Sequence, residues 1–494
     1  MSIKPNYQTY RYTGEICRLN SQSIVECRLP GSEIGSILAV QANAVPVESV
    51  CSNGDVRYEG KLVICVVYED SNRKICRIER GAEFFHKAEN ELVTPACFAK
   101  TALSAINVTH RREGSGLYVS VIVGADVCVY GGKYIEYLSG GEEIIVKKQP
   151  IALCHTLCVS GETEGEDEFE TDYVGDVLLH GENAIVHNVQ VRAGQIDIEG
   201  EMRLHACVLK PSDSLCTYER IIPFSMQIPC EEAFGNVTAS ARVSVKSAHL
   251  TVGADEEKGK ATMILSYCLL ADCFLHEKTE LTVVCDAFSK SVALQTEMRS
   301  GEGRYLIEQR KQTEHVHGKA HLSGDVDEEF TLSASVLPRV ELSCKKADNG
   351  WEVEGVVLAE ILLSGKEGGY KSSTLSLPFT FPVQSKGERV EVDAIVCGVK
   401  VRRSGKDVEA EATVKLHVRG YDVCGYSYIG ETVEGEGYPQ NDAAMSIFVP
   451  TVGEDLWQVA KRLRCSPEEL QKSNPDLSFP VKEGERIYVY RQIK

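Results

Sequence analysis

Residues 196–209 read IDIEGEMRLHACVL, and an apolar side chain or a glycine occupies every second position of this segment. The apolar set runs from Ile196 to Val208, whereas the positions between are polar or mixed. A period of two is typical of a β-strand with one buried face, because successive side chains point to opposite sides of a sheet. The segment therefore predicts a half-buried strand.

The same pattern occurs twice more, as VRYEGKLVICVVY at 56–68 and as WEVEGVVLAEILL at 351–363. Each copy contains one Glu-Gly pair, and the glycines are Gly60, Gly200 and Gly355, separated by 140 and 155 residues. A repeat of this length predicts a complete domain with its own core, and not a short solenoid repeat.

Two further landmarks recur with each copy. A phenylalanine follows each glycine by 24 residues, at Phe84, Phe224 and Phe379, and we interpret it as a core side chain. Charged, glycine-containing turns at 110–116, 253–260 and 402–407 each separate two β-rich runs, which is typical of a hairpin. The glycine lies on the apolar set of its strand, which predicts a bulge or the close approach of another strand.

These patterns predict a mainly β fold with three tandem all-β, sandwich-like domains at 1–145, 146–290 and 291–430. One short helix is expected at 96–105. Residues 431–445 are rich in glycine and acidic residues, and we interpret them as a flexible linker.

The last segment, 446–494, predicts a small module with the order β-α-α-β. Asp455 is a candidate N-cap for a first helix whose apolar face includes Leu456 and Val459. Ser466, followed by Pro467 and Glu469, forms a capping box for a second helix, and a closing strand is expected at 487–490.

The amino-acid composition excludes some classes of binding partner and indicates the cellular compartment. The net charge is −19, which argues against general nucleic-acid binding and against binding to anionic membranes, since both require excess Lys and Arg. The N-terminal residues lack an apolar signal segment, and no run of about 18 apolar residues occurs, so a cytoplasmic location without membrane insertion is expected. The 19 cysteines are scattered, which favours buried reduced thiols over a disulfide framework.

The sequence contains none of the usual catalytic or phosphate-binding motifs, so we expect a protein that is not an enzyme and has no catalytic residues and no cofactor. His315 and His317 would share one face of a strand, but no carboxylate or cysteine stands at ligand spacing, and no metal site is expected. A site assembled between domains would escape this reasoning.

The repeated unit resembles the SPOCS domain of spore coat proteins, and residues 446–494 resemble a LysM domain. The LysM motifs are Gly453 to Ala460, Asn474-Pro475-Asp476-Leu477 and the turn Lys482 to Arg486. The resemblance implies that a partner-binding surface of the LysM groove and first helix comprises Gly453, Glu454, Asp455, Leu456, Trp457, Asn474, Pro475 and Leu477.

Together the two motifs resemble a clostridial family of spore coat morphogenetic proteins that interact with SpoIVA, the coat-basement ATPase. The resemblance implies a scaffold on the mother-cell side of the forespore surface, whose LysM domain docks on SpoIVA and whose β domains recruit other coat proteins. The alternative is a wall-associated LysM protein that binds peptidoglycan or N-acetylglucosamine. Glu454-Asp455 replaces the Asp-Thr of wall-binding members, which disfavours glycan binding.

Overall fold

A computed structural model describes the chain except residues 1–2, 31–33, 115, 172–174, 236, 256–259, 323–328, 349, 367, 440–444 and 491–494. Long antiparallel strands make up most of the described residues, so the prediction of a mainly β fold is confirmed. Of the helices in this part of the chain, none is long and apolar enough to cross a membrane.

The strands fall into three successive groups of six, which we call the first, second and third β units. The first unit contains β1 (Lys4–Pro30), β2 (Ile34–Cys51), β3 (Asp55–Asp70), β4 (Ile75–Glu89), β5 (Phe98–Glu113) and β6 (Gly116–Glu142). The second contains β7 (Ile144–Thr171), β8 (Asp176–Arg192), β9 (Gln195–Leu209), β10 (Leu215–Pro229), β11 (Thr238–Asp255) and β12 (Lys260–Ser289). The third contains β13 (Val292–His321), β14 (Phe330–Ala347), β15 (Gly350–Gly365), β16 (Tyr370–Val383), β17 (Arg389–Ser404) and β18 (Asp407–Gly437).

The three units share one topology. In each, the first, sixth and fifth strands form a three-stranded antiparallel sheet in that order, and the second, third and fourth strands form another. The three predicted turns join the fifth strand of each unit to its sixth, as a hairpin signal requires.

The quoted segments form β3, β9 and β15, the central strands of the second type of sheet. Their alternate positions are fully buried, as the period of two predicts. These positions are Tyr58, Leu62, Ile64 and Val66 in β3, Ile198, Met202, Leu204 and Ala206 in β9, and Val353, Val357, Ala359 and Ile361 in β15.

The glycine and the phenylalanine of each repeat are cross-strand partners. Gly60 pairs with Phe84, Gly200 with Phe224 and Gly355 with Phe379. In every unit the ring lies over the glycine so closely that a Cβ atom there would overlap it. The predicted close approach is therefore made by an aromatic ring of the adjacent strand, and at Gly200 and Gly355 also by a backbone carbonyl of the strand on the other side. The predicted core role of the phenylalanine is confirmed for Phe224 and Phe379, which are buried, while Phe84 is partly buried against the core of the first unit.

The units also share apolar clusters with one another. One cluster combines Val67 of β3, Cys207 of β9 and Leu362 of β15, which stand seven residues after the repeat glycines on the odd face of the strand. Another combines Tyr12, Leu153 and Tyr428, one from each unit. Packing between units explains why the odd positions of the repeats are mixed rather than uniformly polar.

Two local predictions differ from the structure. Residues 98–105 belong to strand β5 rather than to a helix, because they pair along β6 from Phe98 to Ala105. The predicted linker at 431–445 begins too early, since β18 continues to Gly437 along β13 and the Tyr7 hydroxyl binds Thr432. Backbone pairing stabilises this acidic segment despite its composition; residues 440–444 lie outside the described residues.

The C-terminal module comprises β19 (Met445–Phe448), α1 (Leu456–Leu463), α2 (Pro467–Ser473) and β20 (Ile487–Tyr490), in the predicted order. Asp455 caps α1 and Ser466 caps α2, each in a reciprocal capping box, and Pro467 stands at the start of α2. Val459, Leu470 and Ile487 form the centre of its apolar core.

Candidate functional site

The residues expected to bind a partner lie in two loops and one helix of the C-terminal module. Gly453 and Glu454 precede α1, and Pro475 and Leu477 follow α2. The two loops run side by side, because the Gly453 N–H donates to the Val481 carbonyl at 2.9 Å and the Val481 N–H donates to the Glu454 carbonyl at 3.0 Å. The structure thus brings together segments that are more than twenty residues apart in sequence.

The two carboxylates of the first loop are engaged inside the module. The Asp455 carboxylate accepts a hydrogen bond from the Gln458 N–H at 2.7 Å, as an N-cap does. Glu454 accepts a hydrogen bond from the Thr451 N–H at 2.9 Å and forms an ion pair with Arg462. Both acids therefore stabilise the start of α1, and their acceptor atoms are partly occupied.

Asn474 has a structural position rather than a surface one. Its side chain is buried, and its amide donates to the carbonyls of Leu470 at 2.9 Å and Tyr488 at 2.8 Å. Its Oδ1 atom accepts the Tyr488 N–H at 2.8 Å. Asn474 therefore joins the end of α2 to β20, and it does not line a surface with Pro475, which is exposed.

Trp457 does not project freely into solvent. Its indole Nε1 donates to Asp286 Oδ2 at 2.8 Å, and its ring packs edge-on against Phe288, with the centroids 5.2 Å apart. Asp286 and Phe288 belong to β12 of the second unit. Leu456 packs in the same apolar cluster, so the apolar part of the expected surface is turned toward the β units.

Asp286 also accepts a hydrogen bond from Lys461 Nζ at 2.6 Å. Burial would raise the pKa of this carboxyl, but the hydrogen bonds from Lys461 and Trp457 outweigh burial and lower its pKa below the ordinary value. The charged form of Asp286 is therefore the one that binds the module.

Two ion pairs flank this contact. Lys147 Nζ lies 3.4 Å from Asp455 Oδ2, and Lys290 Nζ lies 2.6 Å from Glu469 Oε2. Both pairs are substantially exposed, so each contributes about 0–1 kcal/mol. We call the set of contacts at Asp286, Phe288, Lys147 and Lys290 the docking contact of the module.

One surface of the module was not predicted from the sequence. Met445 pairs with Tyr490, and Ile447 pairs with Tyr488, across the two-stranded sheet. All four side chains are exposed, and Val449 beside them is 68 % exposed. The alternation at 445–449 and 487–490 is the signal that marks this face, because Phe448, Ile487 and Val489 point to the opposite, buried side.

The histidine pair considered for metal binding is exposed on β13, where His315 Nδ1 lies 3.2 Å from the Thr413 hydroxyl. In the part of the chain that the structure describes, no three His, Cys, Asp or Glu side chains are grouped to hold a metal ion.

The geometry of the module thus combines two adjoining loops, an internal docking contact and an exposed apolar sheet face. A comparison of this chain with protein-family models, with curated proteins and with solved structures finds no match in any of the three.

Proposed function

We propose that this chain is a non-enzymatic scaffold of spore coat assembly, which tethers coat proteins to the forespore surface. The proposal rests on the resemblance of the repeated units to SPOCS domains and of residues 446–494 to a LysM domain. In this proposal the C-terminal module docks on SpoIVA from the mother-cell side, and the three β units recruit other coat proteins. Several linked weak sites would give avidity on a polymerised ATPase layer.

The observation that carries the docking role is the exposed apolar face of the module, formed by Met445, Ile447, Val449, Tyr488 and Tyr490. Contiguous apolar surface of this kind is typical of a protein contact, and Tyr is among the residues enriched at such contacts. The face lies on the two-stranded sheet, whereas the docking contact uses α1, its N-cap Asp455 and Glu469 of α2. A partner can therefore reach this face while the module remains bound to the β units.

Trp457 has a different role in the proposal. A partner that used the indole would have to replace the hydrogen bond to Asp286 and the contact with Phe288. Binding through Trp457 would thus require release of the module, whereas binding through the sheet face and the exposed Pro475 would not.

The test is co-purification of SpoIVA with the full-length chain. The double variant Tyr488→Ser/Tyr490→Ser removes two exposed rings, and we expect it to reduce recovery of SpoIVA at least tenfold. Phe85→Ser is the matched control, because Phe85 is 85 % exposed on the first unit, away from the module. Leu456→Asp is unsuitable, since Leu456 packs against the module core and its replacement would unfold the module.

Unchanged recovery of SpoIVA by the double variant and by a Pro475→Ser variant, with both variants folded, would contradict docking through this module. Sedimentation of the purified chain with peptidoglycan tests the alternative of glycan binding. Saturable sedimentation that free N-acetylglucosamine oligomers abolish would favour a wall-binding role in its place.

A further inference from the structure

A cavity of about 260 Å³ lies where the three β units meet. The first unit contributes Glu15, Arg18 and Lys133 to its wall; the second contributes Arg242 and His276; and the third contributes Arg304, Glu391 and Arg419. Residues separated by up to about 400 positions thus converge on one cavity. No local sequence pattern identifies this cavity.

Glu391 organises the charged side chains of the cavity. Its carboxylate lies 2.9 Å from Arg18, 3.2 Å from both Arg242 and Arg304, and 3.6 Å from Arg419. Burial would raise the pKa of Glu391, but the four guanidinium groups outweigh burial and hold it well below its usual range. One carboxylate therefore holds four arginines, which come from all three units.

The cationic groups of the wall exceed its acidic groups. Six cationic side chains line the cavity, namely Arg18, Lys133, Arg242, Arg304, Arg389 and Arg419, against the three carboxylates of Glu15, Glu302 and Glu391. The five guanidinium groups together carry about 25 N–H donors, whereas the three carboxylates offer only about 12 acceptor sites. The wall therefore has spare donors and spare positive charge, in a chain whose net charge is −19.

Two buried side chains have polar atoms without a hydrogen-bond partner among the described residues. Arg419 is 1 % exposed, and although its Nη2 lies 2.9 Å from Asp393, neither Nε nor Nη2 makes a hydrogen bond of good geometry within the described residues. His276 is also buried; its Nε2 lies 3.2 Å from the Ser240 hydroxyl, while its Nδ1 has no partner in that part of the chain.

Lys133 is the cation of the wall that has no ion pair among the described residues. It is half-buried at the same cavity, where burial lowers the pKa of its ammonium group and the carboxylates of Glu15 and Glu302 oppose this shift. An ammonium group that is partly desolvated and unpaired would gain from a bound anion.

We propose that this junction cavity binds a small oxyanion with two or more negative charges, of the phosphate or pyrophosphate class. The spare N–H groups of the arginines would donate hydrogen bonds to its oxygens, and Lys133 would supply the charge that no protein carboxylate neutralises. The volume lies below the roughly 300–1,000 Å³ typical of pockets for drug-sized ligands, which favours a small anion over a nucleotide.

A bound anion would hold the three β units together. Because Lys133, Arg242 and Arg304 belong to different units, one anion would join all three units at their common point. A ligand that binds the folded arrangement and not the unfolded chain stabilises it by mass action. The occupied protein should therefore melt at a higher temperature than the empty one.

Asp126 and Asp393 are carboxylates near the cluster that could neutralise its positive charge without a ligand. They lie 3.9 and 4.0 Å from Arg242, and their side chains are 36 % and 41 % exposed. If these two carboxylates balance the cluster without a ligand, the cavity is a structural ion-pair network only. The experiment separates these two cases.

The experiment measures binding of inorganic phosphate and of pyrophosphate to the full-length chain by calorimetry and by thermal unfolding, at constant ionic strength, with chloride as the reference anion. The wild-type chain should bind pyrophosphate saturably and show a raised melting temperature. Lys133→Met, which keeps the apolar stem but removes the charge, should lower the affinity at least tenfold. Lys133→Arg should restore most of it.

Lys148→Met is the matched control, because Lys148 is an exposed lysine on β7 away from the cavity. It should leave the affinity unchanged. Absence of saturable binding to the wild-type chain would overturn the proposal, as would equal affinity in the Lys133→Met and Lys148→Met variants. If Lys133→Met fails to fold, Arg389→Met provides the second test, because Arg389 lines the cavity and is half exposed beside Glu302.

Discussion

Trp457 of helix α1 donates its indole N–H to Asp286 of strand β12 at 2.8 Å, and these residues are 171 positions apart. The same carboxylate accepts a hydrogen bond from Lys461 at 2.6 Å. One acidic side chain of the second unit thus binds two side chains on one face of α1. The C-terminal module, predicted to be connected only through a flexible linker, instead contacts the β units directly.

Replacement of Asp286 by Ala should release the module. The change removes the hydrogen bond from Trp457 to a charged group, which contributes about 1.5–3 kcal/mol, and the partly exposed ion pair with Lys461, which contributes about 0–1 kcal/mol. We expect the emission of Trp457 to shift to longer wavelength and small-angle scattering to report a larger radius of gyration. The fluorescence is measured in a Trp351→Phe background, because Trp351 is the other tryptophan of the chain.

Asp476→Ala is the control for this change, since Asp476 is an exposed carboxylate of the same module. It should leave both signals unchanged. An unaltered Trp457 emission in the Asp286→Ala variant would contradict the importance of the docking contact.

The docking contact should also respond to acid. The pKa of Asp286 in the bound module is lower than its ordinary value of 3.8. A carboxyl with a lowered pKa contributes its full stabilisation above the ordinary value, and the contribution is lost as the pH falls through the lowered value. Trp457 emission should therefore stay constant between about pH 8 and pH 5 and change only in stronger acid.

The variant Asp286→Asn provides the comparison for the acid response, because its amide cannot titrate. An acid transition that remains in this variant is expected from the flanking pair Lys290–Glu469, because the Lys290 ammonium group lowers the pKa of the Glu469 carboxyl. Identical transitions in the wild-type and Asn chains would rule out Asp286 as the titrating group.

Local patterns in the sequence predicted the parts of the fold that neighbouring residues determine. The burial of Tyr58, Ile198 and Val353 followed from the period of two, and the caps at Asp455 and Ser466 followed from the positions of polar residues before apolar faces. These features depend on the strand or helix itself, so its residues are sufficient to identify it.

Contacts between distant segments were not predictable in the same way. The partner of Trp457 is an aspartate within an ordinary strand sequence, and the arginines around Glu391 are spread over three units. Pairing between surfaces depends on how the units pack, which no periodicity records. The extension of β18 to Gly437 escaped prediction for a related reason, because backbone pairing is independent of side-chain composition.

Asn474 should be important for the stability of the module rather than for binding. Replacement by Ala leaves the partly buried N–H and carbonyl groups of Tyr488 without their partner, which costs about 1–3 kcal/mol. Urea unfolding followed through Trp457 emission should show this loss. Ser478→Ala, at an exposed position nearby, should change the free energy of unfolding by less than about 0.5 kcal/mol.

A result in which Asn474→Ala retains full stability but loses SpoIVA recovery would assign Asn474 to the binding surface, contrary to this expectation. Loss of both would be uninformative about binding, so stability is measured first. Comparison at a temperature where each variant is folded then separates the two effects.

The glycine of each repeat offers a test of how the sheets are packed. The three atoms nearest to an added methyl at Gly60 all belong to the side chains of Phe84 and Leu103, whereas at Gly200 one of the three is the carbonyl oxygen of Ile185. Both Gly→Ala changes should destabilise the chain by about 1–3 kcal/mol through overpacking. The two glycine positions should differ when the phenylalanine opposite each one is replaced by a smaller residue.

The double variant Gly60→Ala/Phe84→Leu should recover part of the lost stability, because a leucine can turn away from the new methyl group. Gly200→Ala/Phe224→Leu should recover little, because the backbone oxygen of Ile185 cannot move without disrupting the pairing of β8 with β9. Thermal unfolding of the four variants and of the two Phe→Leu single variants measures the coupling in each repeat. Equal recovery in both repeats would show that the ring alone, and not the approach of the neighbouring backbone, requires glycine at these positions.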